Sequence, residues 1–268
     1  MLLAIDSGNT NTVFSCVDPS GQAAHVWRIS TKSARTADEY MVWISQLLDL
    51  AKINASDIDA AIIATVVPPT LFQLRTLCRS YFKVDPLVVG DTDVDLGIGI
   101  KVPNPQEVGA DRLVNAVAAF DQFGGPAIII DFGTATTFDV IDEYGDYCGG
   151  VIAPGINLSL EALYQGAAKL PRIAIERPKT MKVIGTSTIS AMQSGVMWGY
   201  VGLIEGLVDR ITAEWGKPMK VIATGGLASI FDDQSHIIDE VDKGLTLRGL
   251  WLISCRQKEC AVDVSKSS

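Results

Sequence analysis

Two short strings carry the residue types that phosphate chemistry asks for. One is Asp6-Ser7-Gly8-Asn9-Thr10-Asn11-Thr12, the other Asp131-Phe132-Gly133-Thr134-Ala135-Thr136-Thr137, about half a chain further on. In each, glycine permits a tight turn and a close approach of backbone to a ligand. Exposed amides and Ser, Thr or Asn side chains hydrogen-bond phosphate oxygens well. A carboxylate repels phosphate, so Asp6 and Asp131 would act through a cation, its water shell or a reacting proton. One such string alone is better explained as a hairpin closed by an Asx-turn. Two of them, each behind an apolar run, favour function. A third glycine turn, Thr224-Gly225-Gly226, follows the apolar run 219–223 and could admit part of a nucleotide to the backbone. No GxxxxGK(S/T) string is present, and Gly97-Ile98-Gly99 lacks the third glycine of a dinucleotide fingerprint.

A different chemistry is offered by Asn104-Pro105-Gln106-Glu107-Val108-Gly109-Ala110-Asp111-Arg112. Asn104 can cap a turn that begins at Pro105, with Glu107 as capping-box partner. Gly109 can break that turn, so the main helix begins near Asp111 and runs to Phe123. Asp111 then stands at a helix start, suited to accept the proton of a primary hydroxyl. Arg112 supplies a planar fork for a carboxylate or phosphate. Taken alone, the pair is better explained as a helix-start charge and a solvated arginine.

The elements that must position these residues follow from periodicity. Continuous apolar runs at 2–5, 60–64 and 127–130 read as buried strands. Residues 13–17 and 24–29 continue the first into a three-strand opening, and 136–141 and 147–153 repeat that opening in the second half. Both phosphate strings are therefore strand–turn–strand. Helices are predicted from a Thr36 or Asp38 cap to about Ala51, from Pro68 to about Phe82, from Asn157 to about Gly166, from a Thr186 cap onward, from about Ala228, and from Asp242 to Cys255. Residues 172–182 read as a polar connection. Gly195, Gly199, Gly202 and Gly206 share one face of the long helix. Such a face lowers helix propensity, so it should admit a close-packed helix, within the fold or from a second copy. Three strands followed by alternating helix and strand, given twice, predict an α/β protein with mixed sheets. The expected division is 1–118, 119–256 and a flexible tail over 257–268.

Composition narrows the function classes. At 268 residues, with 48% hydrophobic and 20% charged residues, the chain can bury real cores. A net charge of −9 without a basic run argues against a nucleic-acid surface. Cys16, Cys78, Cys148, Cys255 and Cys260 form no CxxC pair and read as reduced thiols of a cytoplasmic protein. No signal peptide is expected, because Asp6 interrupts the opening apolar run, and no run approaches a membrane span.

The paired Asp-x-Gly strings with the late Gly-Gly turn resemble those of the actin-like ATPase and sugar-kinase superfamily. Joined to Pro105-Gln106-Glu107-Val108-Gly109-Ala110-Asp111-Arg112, they make the chain similar to the type III pantothenate kinase family over residues 1 to about 255. The resemblance implies duplicated ribonuclease-H-like domains with an interdomain cleft. It implies ATP-dependent phosphorylation of pantothenate to 4′-phosphopantothenate, the first step of coenzyme A synthesis. On that pattern Asp6, Ser7, Gly8, Asn9, Thr10, Asn11, Thr12 and Val13 form the first ATP loop, with Asp6 near the Mg²⁺–triphosphate. Thr134 contacts ATP from the second loop, and Asp131 holds a monovalent cation, K⁺ or NH₄⁺. Gly109, Ala110, Asp111 and Arg112 line the pantothenate pocket, with Asp111 as general base. Thr186 touches pantothenate, from the partner subunit of a homodimer. Two other readings stand beside it: another actin-like kinase or ATPase, and a nucleotide-gated regulator of transcription.

Overall fold

The computed structural model describes residues 1–167, 170–175, 182–231 and 236–266, with side chains as far as Lys258. The chain divides into two compact units, Met1–Gln122 with Gly244–Ser268, and Phe123–Lys243.

In the first unit, β1 (Leu2–Ser7), β2 (Asn11–Val17) and β3 (Ala23–Ser30) form an antiparallel meander. On the far side of β1, β4 (Ala60–Thr65) and β5 (Leu87–Val88) add in parallel, giving the order β3-β2-β1-β4-β5. Leu3, Ile5 and Phe14 on one face pack with Tyr40, Ile44 and Leu48 of α1 (Ala37–Ala51) and with Leu74 and Leu77 of α2 (Pro68–Leu77). These side chains are essentially buried, so truncating Ile44 to Ala should cost about 2–5 kcal/mol. The Thr36 hydroxyl accepts from Glu39 N at 3.2 Å, while Thr36 N donates to Glu39 Oε2 at 2.8 Å, the capping box that starts α1. A π-turn over Cys78–Phe82 extends α2 to the expected end. A short 3₁₀ turn, Pro105–Glu107, precedes α3 (Ala110–Phe123).

The second unit repeats this path. Strands β6 (Ala127–Phe132), β7 (Ala135–Ile141) and β8 (Tyr147–Pro154) form the meander, and β9 (Lys220–Gly225) and β10 (Glu240–Val241) extend it in parallel. Its order, β8-β7-β6-β9-β10, is that of the first sheet. Helices α4 (Ile156–Gly166), α5 (Thr188–Trp215) and α6 (Ala228–Phe231) pack on Ile128, Ile130 and Phe138.

The repeat extends to details. The register slips at Cys16/Val17 in one meander and at Val140/Ile141 in the other. The turns behind these bulges match as well. Asp18 Oδ1 accepts from Ser20 N and Gln22 N, and Asp142 Oδ1 accepts from Tyr144 N and Asp146 N. Gly21 (φ +87°) and Gly145 (φ +86°) close them in the left-handed region that glycine tolerates.

Three expectations are corrected, and one strand is added. Helix α7 runs Leu245–Lys266, through the segment expected to be a tail, and belongs to the first unit instead of the second. Its apolar face explains this: Leu245, Leu250 and Ile253 are buried, and Thr246 Oγ1 donates to Asn115 Oδ1 of α3 at 2.7 Å. The first unit accordingly keeps all of 1–122, so the break falls at 122/123 instead of 118/119. Helix α5 is capped by Ser187, whose hydroxyl accepts from Ser190 N, and not by Thr186. Strand β10, two residues long, went unseen, too short for any periodicity to register. Within the polar connection, 176–181 lie outside the described residues.

Candidate active site

The first phosphate string is the connection from β1 to β2. Ser7 pairs with Thr12, leaving Gly8, Asn9, Thr10 and Asn11 as the turn, closed by a Gly8 N to Asn11 O bond of 3.0 Å. Asn9, Thr10 and Asn11 are exposed, while Ser7 and Thr12 are fully buried beneath them, their hydroxyls 3.2 Å apart. Asp6 and Val13 face each other across the ladder one step further in, both half-buried. The tip can thus meet a ligand through backbone amides and the side chains of residues 9–11, whereas the hydroxyls of Ser7 and Thr12 support it from below.

The second string is built likewise but one residue shorter. Phe132 pairs with Thr136, and Gly133 N donates to Ala135 O at 3.1 Å. Gly133 and Thr134 are exposed, and Phe132 is anchored in the core, stacked on Phe231 with ring centroids 5.1 Å apart. Asp131 is half-buried, in register with Thr137 on one side and with Thr224 on the other. The third glycine turn lies directly against it: a Cβ on Gly225 would stand 2.5 Å from Asp131 Oδ1.

Asp111 sits in the first turn of α3, half-buried, its Oδ1 accepting from Arg112 N at 2.8 Å. Burial pushes its carboxyl above the ordinary value, and the bonds from backbone N–H and the Arg112 charge oppose that only in part. Gly109 makes the space for this carboxylate. A Cβ there would stand 2.7 Å from Asp111 Oδ1 and 3.3 Å from Val66 Cγ1. Val66 N in turn donates to Ser7 O at 3.1 Å. The base of the first turn, Val66, Gly109 and Asp111 thus form one neighbourhood. Ala110 is buried, and Arg112 is half-buried beside Asp111.

Thr186, exposed, lies in the second unit on the rim of an apolar hollow of about 1030 Å³. Its lining includes Leu160, Met192 and Leu203, with Gly195 and Gly199 on one side. Tyr200, another lining residue, connects the hollow to the strand after the second turn. Its hydroxyl bonds Pro154 O, the Ser159 hydroxyl at 3.3 Å and the Thr136 side chain. Burial raises the Tyr200 phenol, so it stays protonated as a donor. Val66 and Tyr200 escaped the sequence reading because each is distant in sequence from the residue it supports.

Twice-repeated five-stranded sheets, each with a glycine turn after its first strand, define a protein of the actin-like ATPase and sugar-kinase fold. An inorganic polyphosphate/ATP-glucomannokinase from Arthrobacter matches with a TM-score of 0.51 at 14% identity, over 95% of this chain and 98% of that one. A Campylobacter jejuni protein described as a conserved Baf family transcriptional activator matches with a TM-score of 0.60 at 18% identity, over 96% and 99%. At such identities the likeness concerns fold alone. Sequence narrows the class. The family model for type III pantothenate kinase matches residues 2–210. Type III pantothenate kinases from Rhodospirillum rubrum and Paramagnetospirillum magneticum are 61% and 62% identical, over 96% and 93% of this chain and 99% and 95% of theirs. The chain belongs to the type III pantothenate kinase family.

Proposed function

We propose that the chain phosphorylates pantothenate with ATP, giving 4′-phosphopantothenate and ADP as the first step of coenzyme A synthesis. The observation that carries the site assignment is the Asp111 carboxylate. It is partly desolvated, held at a helix start by a cleared Gly109, and joined through Val66 to the base of the first turn. In this reading the acceptor's primary hydroxyl gives its proton to Asp111 as its oxygen bonds the γ-phosphorus, and the bond to ADP breaks. A carboxyl raised toward the operating pH is the better proton acceptor. Gly109, Ala110 and Arg112 bind pantothenate, whose carboxylate suits the planar guanidinium.

Asp6, Ser7, Gly8, Asn9, Thr10, Asn11, Thr12, Val13 and Thr134 take ATP, chiefly through exposed turn amides. Phosphoryl transfer asks mainly for such positioning and charge neutralisation. One carboxylate, Asp6, beside a phosphate-binding turn fits a Mg²⁺ that keeps several waters and takes phosphate oxygens as ligands. Asp131 with its register neighbours Thr137 and Thr224 is a set of oxygen donors fitted to a K⁺ or NH₄⁺ ion. Such an ion would supply fixed positive charge beside the triphosphate.

The homodimer is part of the proposal. Added Cβ atoms at Gly195, Gly199 and Gly202 would meet nothing within 4 Å among the described residues, so this smooth face of α5 is open to a second copy. Thr186 on the adjoining rim then reaches pantothenate from the partner subunit. Cytoplasmic placement accords with the substrates. No described helix is long and apolar enough to cross a membrane.

The test is purified protein with MgATP and pantothenate, with and without K⁺, following ADP release and phosphopantothenate by mass. Turnover that needs K⁺ or NH₄⁺ is expected. Phosphorylation of other hydroxylated acceptors but not pantothenate would move the chain to a different kinase of this fold. A regulatory role, suggested by the described activity of the Campylobacter protein, predicts a salt-sensitive DNA shift, which the net charge of −9 disfavours.

A further inference from the structure

Thr31 stands immediately after β3, outside every string that the chemistry singled out, yet it holds the first turn at two points. Its hydroxyl donates to Gly8 O at 2.7 Å and its amide donates to Thr10 O at 2.9 Å. In a trans peptide the carbonyl and the following N–H point in opposite directions. Anchoring the Gly8 and Thr10 carbonyls on Thr31 therefore turns the Asn9 and Asn11 amides the other way, toward the exposed side of the turn.

The buried hydroxyls below enforce this arrangement. A hydroxyl has one proton to give, and Thr31 gives its own to Gly8 O. The 2.9 Å contact between the Thr12 and Thr31 hydroxyls then requires Thr12 to donate. Across the 3.2 Å contact with Ser7, Thr12 can then only accept, and the Ser7 hydroxyl lies equally 3.2 Å from that of Thr70. The chain of protons runs one way, from Thr12 through Thr31, and ends on Gly8 O. Hydroxyls aligned in one direction polarise one another and strengthen the last bond.

The second turn reaches the same end by another means. A Cβ on Gly155 would stand 2.1 Å from Thr134 O, 2.7 Å from its carbonyl carbon and 2.8 Å from Gly133 O. The oxygen is nearer than its carbon, so the Thr134 carbonyl is aimed at Gly155. The Gly133 oxygen packs on the same spot. By the same peptide geometry the Thr134 and Ala135 amides face away.

We propose that Thr31 and Gly155 are positioning residues for nucleotide binding: each fixes the peptide planes of one turn so that its amides are presented to phosphate before ATP arrives. Such pre-orientation lowers the reorganisation that binding would otherwise require. The inference rests on the reading of both turns as ATP loops. Thr31→Val keeps the shape and removes the hydroxyl, and Thr31→Ser restores it. The ATP Kd and the KM for ATP should rise about tenfold in Thr31→Val, the scale of one lost hydrogen bond. The KM for pantothenate should stay within twofold, and Thr31→Ser should return the KM for ATP to near the wild-type value. Gly155→Ala should weaken ATP binding at least as much. Amide exchange on the unmutated protein gives a readout that needs no variant. Adding MgATP should slow exchange at Asn9, Asn11, Thr134 and Ala135, and leave Gly8, already bonded to Asn11 O, unchanged. Wild-type ATP affinity in Thr31→Val, an equal rise in both KM values, or an exchange change at Gly8 alone would each overturn the proposal while pantothenate kinase activity persists. A wild-type protein that binds no nucleotide would instead overturn the reading of the site, and the inference with it.

Discussion

Replacing Gly109 by Ala tests the site where structure and chemistry meet most closely. No positive φ is involved at this glycine, so the substitution acts by steric contact instead of backbone strain. The new methyl would lie 2.7 Å from Asp111 Oδ1. Restoring an ordinary contact distance requires the carboxylate to retreat by roughly 0.5–1 Å. Retreat lengthens the 2.8 Å bond from Arg112 N that orients it. A reacting group displaced on this scale loses on the order of 10- to 100-fold in rate. The stability cost is separate and small: Ala for Gly at a helix start costs about 1 kcal/mol, or about 2–4 °C in Tm. A coupled ADP assay should therefore show kcat down about 10- to 100-fold with the KM for ATP unchanged, while a thermal melt shows a modest shift. Gly166→Ala is the control, since no described residue lies within 4 Å of its added Cβ. A kcat within twofold of wild type in Gly109→Ala would refute the idea that this glycine exists to seat the Asp111 carboxylate.

Removing the base outright, Asp111→Asn, should lower kcat by about 10²- to 10⁴-fold. Because burial raises the Asp111 carboxyl, the acid limb of the wild-type kcat profile should lie above the ordinary carboxylate range. The same shift has a stability sign. A folded-state value above the unfolded one means that the ionised carboxylate costs stability at higher pH, and protonation relieves the cost as pH falls through the raised value. Asp111→Asn should accordingly melt higher than wild type at pH 8, with the gap closing in acid. Burial pushes Cys16 up to about 11 and Cys78 up to about 12, so at pH 8 iodoacetamide should spare both in the native protein and modify them after denaturation, as peptide mapping would show. Gly199→Arg should leave the helical circular dichroism intact but abolish dimerisation in sedimentation if the open face of α5 joins two copies.

Much of this architecture was legible because buried strands announce themselves. The runs at 2–5, 60–64 and 127–130 are apolar on both faces, and each became the strand expected. Thr36 as a cap and Pro68 as a helix start were equally readable, since their signals are local. What failed depended on distant partners. The fate of α7 is decided by Val114, Asn115 and the underside of the first sheet, none of which its own sequence reveals. Thr31 falls outside every string the sequence singles out, because its importance lies in carbonyls more than twenty residues earlier. One clue was in view and passed over. Asp18-Pro19-Ser20-Gly21 and Asp142-Glu143-Tyr144-Gly145 share an Asp-x-x-Gly spacing that marks the second hairpin of each half. That shared spacing is a mark of the duplication in the sequence itself.

The discontinuous make-up of the first unit has a consequence for how the molecule is made. Its closing helix, α7, is encoded only after all of residues 123–243. A ribosome adding about 5–20 residues per second leaves the opening 122 residues waiting roughly 6–25 s for that helix. Over that interval the nascent surface that Leu245, Leu250 and Ile253 later cover stays wet or leans on a chaperone. The contiguous unit, although synthesised later, is the first to have all its parts in hand.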